Sequence, residues 1–83
     1  MTSRLSRHQV VVLRKVIRLA DLATLMRLDR SLTGAEWPRK RTKTVLDQLL
    51  ELGLVAEQSR QTGWPIYVVT PDGQQALAAH DEV

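Results

Sequence analysis

From Val10 onward, apolar residues return every third or fourth position. Val10, Leu13, Ile17 and Ala20 share one helical stripe, with Val12, Val16 and Leu19 beside it. Arg7, Arg14, Lys15 and Arg18 take the other faces. Ser6 with Gln9 matches a capping box, and Leu5 with Val10 matches the accompanying hydrophobic staple, so the first helix is predicted to start beside Ser6. The helical pattern resumes in DLATLMRLDR (21–30), with Leu22, Leu25 and Met26 on one side. Thr33 with Glu36 offers a second capping box, and Leu32 with Trp37 a second staple, in SLTGAEWP. The second helix is therefore expected either at 21–30, with Asp21 as its cap, or as a short turn at 34–37.

A further helix is predicted over about 38–52. Its start lies between Pro38 and Lys43, with Pro38 at the first helical position or Thr42 as the cap. Val45, Leu49 and Leu52 share its apolar face, Leu46 and Leu50 widen it, and Gly53 is the natural residue to end it. LVAEQSR and IYVVT then read as two short strands, and the QTGWP between them has the Gly and Pro of a hairpin loop. Together they predict a two-stranded element over about 54–70. Thr70-Pro71 reads as a hydroxyl cap followed by proline at the first helical position, and the closing helix is expected over about 71–79. The sum is a single domain spanning 1–83, α+β and mainly α, in the order of a winged helix-turn-helix.

Three stretches carry a family likeness. TVLDQLLELGLV (44–55) resembles the recognition-helix signature of MarR-, PadR- and BlaI-type regulators, with Val45, Leu49, Gly53, Leu54 and Val55 at the expected spacing. YVVTPDGQQAL (67–77) resembles the second wing strand and following helix of the same families, and LSRHQVVVL (5–13) is similar to the start of a MarR-type domain. The resemblance implies a winged helix-turn-helix with its recognition helix at 38–52, and a small DNA-binding transcriptional regulator, a repressor in the first instance.

Charge sharpens this expectation. The formal net charge is +3, but residues 1–48 hold eleven of the twelve Lys and Arg, while 49–83 hold Arg60 alone and five of the nine acids. A basic half on a small domain points to a polyanion. Arg39, Lys40, Arg41 and Lys43 crowd the start of the 38–52 helix. There the backbone is already partly positive, and each cation costs about 0.3–1 kcal/mol. That placement makes sense if the tip meets phosphates. By side-chain chemistry, Arg39, Lys40 and Arg41 suit phosphate contacts or, for an Arg, a bidentate guanine contact. Thr42, Lys43 and Thr44 are expected near base edges, and Gln48 suits adenine. On the wing, Arg60 is expected at backbone or minor groove, with Gln61 and Thr62 adding polar contacts. Trp37 is expected in the core and Trp64 packed against the hairpin.

Other functions find less support. The absence of cysteine excludes a disulfide framework and a thiolate zinc site. His8 and His80 belong to no nucleophile–base set, so no enzyme is expected. His80, Asp81 and Glu82 are expected to be solvated rather than metal-binding. No apolar run approaches the roughly 18 residues of a membrane span, and Val10–Leu13 is too short for a signal-peptide core. A cytoplasmic protein, associated with the nucleoid in a bacterium, is expected. Its partners would be double-stranded DNA and a second copy, since Val10, Val11, Val12, Leu13, Val16 and Ile17 exceed one helical face. No cofactor or small-molecule ligand is expected. The alternative is a winged-helix protein–protein module or an accessory subunit of a nucleoprotein complex, which would expose an apolar patch where the DNA reading needs cations.

Overall fold

A computed structural model describes residues 5–32, 37–38, 40–60 and 63–81. The described residues form helices α1 (Arg7–Leu19), α2 (Leu25–Leu32), α3 (Arg41–Glu51) and α4 (Pro71–Asp81), with strands β1 (Val55–Gln58) and β2 (Ile66–Val69) between α3 and α4. The protein is thus mainly helical, with one two-stranded antiparallel sheet.

Ser6 caps α1 as the sequence predicts. The Gln9 N–H donates to Ser6 Oγ (3.1 Å), and the Ser6 N–H donates to Gln9 Oε1 (2.9 Å). The helix ends where Ala20 takes φ 49°, and a single 3₁₀ turn at Ala20–Leu22 follows. Thr24, not Asp21, caps α2, because its Oγ1 accepts from the Arg27 N–H (3.2 Å). The second helix thus falls within the 21–30 expectation over residues 25–30, but it starts four residues after Asp21 and runs on to Leu32. Residues 34–36 of the other expected range, and the Thr33/Glu36 capping box, lie outside the described residues.

The third helix is shorter than 38–52. It begins at Arg41, whose N–H donates to the Pro38 carbonyl (3.0 Å), and no side chain caps its first turn. Its C-terminus follows the sequence reading closely. Gly53 adopts φ 75°, its N–H reaches the Leu50 carbonyl (3.1 Å), and the Leu54 N–H reaches Leu49 (2.9 Å). This double closure is a Schellman motif, which needs a left-handed residue that glycine supplies without strain.

Strand β1 pairs with β2 in the register Val55↔Val69 to Gln58↔Ile66, with Ser59 and Arg60 following β1 and Gly63 to Pro65 leading into β2. The other edge of β2 is also used: the Tyr67 N–H donates to the carbonyl of Ala23 (2.8 Å), in the link between α1 and α2. That bond fixes the hairpin against the start of α2. Thr70 then bridges hairpin and α4. Its hydroxyl donates to the Gly53 carbonyl (2.7 Å) and accepts from the Gly73 N–H (3.1 Å).

One core unites these elements. Val12, Leu13 and Val16 of α1 meet Leu28 of α2, Leu46 and Leu49 of α3, Val55 of β1 and Leu77 of α4. Burying such side chains stabilises by about 1.5–3 kcal/mol each. The apolar surplus of α1 is largely consumed here. Val10, Val12, Leu13 and Val16 are buried, Val11 packs on the core, and only Ile17 stays half exposed. The feature that suggested a second copy is thus satisfied within one chain. Among the described residues, no helix is long and apolar enough to cross a membrane.

Candidate functional site

With Val45, Leu46 and Leu49 turned inward, α3 presents Lys43, Thr44, Asp47, Gln48 and Glu51 to solvent, and Lys40 is exposed just before it. The helical period makes these one continuous face. Lys43 pairs with Asp47 one turn on (3.4 Å). The Thr44 hydroxyl donates to the Lys40 carbonyl (3.0 Å), and Gln48 Oε1 accepts from Gln9 Nε2 of α1 at a longer 3.4 Å. Lys40, Lys43, Thr44 and Gln48 therefore share an exposed surface, as their sequence positions suggest, but Asp47 and Glu51 temper its charge.

Other expected members of the site lie elsewhere. Thr42 is fully buried (0% exposed), and its Oγ1 accepts from Trp37 Nε1 (2.8 Å). It cannot face a base edge, because the core it helps to order closes over its hydroxyl. Arg41 turns toward α1. Its guanidinium lies 5.6 Å from the Trp37 ring centroid, and Nη1 is 3.3 Å from His8 Nε2. His8 in turn meets the same indole edge-on at 5.3 Å. Cation–π attraction and hydrogen bonding thus draw Arg41 to the flank of α3 away from the hairpin. Arg60 is exposed, but its Nη2 donates to the Asp21 carbonyl, tying the hairpin loop to the 3₁₀ turn. Arg39, Gln61 and Thr62 lie outside the described residues.

Two grooves flank α3, each with a volume of about 450 Å³. One is polar and runs along α1, between Ser6, His8 and Gln9 on one side and Lys40, Arg41, Thr44 and Gln48 on the other. The other is apolar. Leu25, Met26 and Asp29 of α2, Lys40 and Lys43 at the start of α3, and Trp64, Pro65 and Tyr67 of the hairpin line it. Trp64 is 68% exposed and Met26 56% exposed. The expectation that Trp64 packs the hairpin is therefore not met: the indole is largely exposed at the groove it lines with Pro65 and Tyr67.

Tyr67, opposite Glu57 in the strand register, has its hydroxyl pushed above the ordinary value of 10.0. Burial contributes most, followed by the charges of Glu57 and Asp47 and a hydrogen bond to Glu57. The second groove was not foreseen. Its sequence signal is weak: Trp64 lies in the hairpin loop, and Met26, on the apolar side of α2, stays exposed. No protein-family model matches the chain, and no curated protein or solved structure matches it either.

Proposed function

We propose that the protein is a winged helix-turn-helix module that binds double-stranded DNA as a small transcriptional regulator, with α3 as the recognition helix and the hairpin as the wing. One observation carries this reading. Lys40 and Lys43 stand at the uncapped start of α3, on the same groove as the hairpin's Trp64, Pro65 and Tyr67. Cations and wing thus converge on one side of a helix whose Thr44 and Gln48 project outward. An uncapped helix start carries partial positive charge, lysines there gain by releasing counterions from phosphates, and the outward polar residues suit base edges in a major groove. The basic half of the chain adds long-range attraction. The set of DNA-facing residues is narrower than the sequence suggests, since Thr42 is buried and Arg41 is held against Trp37.

The test follows from that geometry. Replacing Lys40 and Lys43 by alanine together leaves Trp37, Thr42 and the core untouched. Binding to a short duplex, read by fluorescence anisotropy across a salt gradient, should weaken. The slope of log affinity against log salt should shrink by about 2, one unit for each phosphate no longer neutralised. An unchanged affinity and slope would reject the reading. A second reading, a protein-interaction module, is favoured by the exposed apolar pair Trp64 and Met26.

A further inference from the structure

The apolar groove beside α3 offers more than contacts to a regular duplex require: it combines three features that suit an unpaired base. Its hairpin side offers two aromatic rings, Trp64 and Tyr67, and its α2 side offers the apolar Leu25 and Met26 with the carboxylate of Asp29 beside them. Lys40 and Lys43 contribute from the helix start. At about 450 Å³ it has room for one base, and the exposed indole is already in solvent. Proteins that hold unpaired bases use this combination: π-faces for stacking beside cations for the flanking phosphates. A peptide anchor would also find apolar surface here, but the two lysines and two aromatic rings complement a base and its phosphates more fully.

We infer that this groove takes up an unpaired nucleobase, stacked on Trp64, so that the preferred partner is duplex DNA carrying an extruded or single-stranded nucleotide. The inference rests on the DNA-binding reading and narrows its substrate class. Lys40 and Lys43 serve both surfaces, grasping the phosphates on either side of the base that leaves the stack. Stacking is sequence-tolerant, so the preference is for the unpaired state rather than for a particular base.

The full chain is titrated with a short duplex and with the same duplex carrying one unpaired thymine. Affinity is read by anisotropy of labelled DNA, and Trp64 by its own emission, with Trp64→Phe separating it from buried Trp37. The unpaired thymine should tighten binding by about 5- to 100-fold and quench Trp64, as stacking energies imply. Trp64→Ala should remove the preference, so that the perfect duplex and the duplex with the unpaired thymine bind with equal affinity. Met26→Ala, on the α2 side, should reduce the preference. Both side chains are exposed, so neither change endangers the core. Perfect-duplex binding with no preference and no quenching would overturn this inference alone, leaving the groove to an apolar segment of a protein partner. Failure to bind either DNA would overturn the DNA reading as well.

Discussion

Thr42 shows how far a single side chain can depart from its apparent chemistry. A threonine between Arg41 and Lys43 in a basic run reads as a polar contact for DNA, yet it is fully buried and anchors the Trp37 indole. The helix start accounts for this: with Arg41 as the first residue, Thr42 falls on the same inward face as Val45, Leu46 and Leu49. Thr42→Val keeps the volume but leaves the buried indole N–H without a partner, a loss of about 1–3 kcal/mol. Urea denaturation should show that decrease, Thr42→Ser should retain most of the stability, and duplex affinity of the folded variants should not change. Ala20 departs in a different way. Its φ of 49° breaks α1 from the next turn at a residue that carries no turn signature, so the sequence pattern runs on through it.

Helix boundaries are set by local chemistry where a specific residue is required, and by packing elsewhere. The start of α1, the end of α3 and the start of α4 were legible because Ser6, Gly53 and Thr70-Pro71 each satisfy loose backbone groups in a recognisable way. The start of α2 was not, because Thr24 competes with Asp21 and the choice follows from the 3₁₀ turn before it. Gly73 illustrates a packing requirement at the element scale. A Cβ there would collide with the Leu54 carbonyl oxygen and come within 2.8 Å of Val69 Cγ1, so α4 needs glycine to lie against the sheet. Gly73→Ala gains helix propensity, but α4 must shift. The net effect should be a loss of about 1–3 kcal/mol, measurable as a lower urea midpoint with an unchanged m-value.

At the scale of the whole molecule, the hairpin, α2 and α3 form one assembly around Tyr67. Its N–H is bound by the α1–α2 link, and its ring lines the apolar groove. Its hydroxyl is subject to Glu57 of β1 and Asp47 of α3. Burial and these acids hold the phenol neutral in the folded state beyond its ordinary 10.0. The unfolded chain then releases that proton first as pH rises. The associated stability is intact below about pH 10 and is lost progressively above it. Tyr67→Phe should therefore show a shallower fall in urea midpoint above pH 10 than the wild type. Identical slopes would mean that burial and the acids of β1 and α3 do not hold the phenol's proton in the folded state.

The order of helices and strands, the mooring of α3 by its leucines and the uneven charge were decided by sequence alone, because periodicity, caps and composition are local properties that survive any packing. Direction was decided only by the tertiary structure. Whether a cation faces the hairpin or α1 depends on which partners other elements bring within reach. Lys43 stays in solvent beside the hairpin because it pairs with Asp47 on its own helix. Arg41 swings away because Trp37 and His8, nearby only after folding, offer a π-face and a ring nitrogen. The apolar groove belongs wholly to the second category. Its walls come from three elements far apart in the chain, and no window of sequence contains them together.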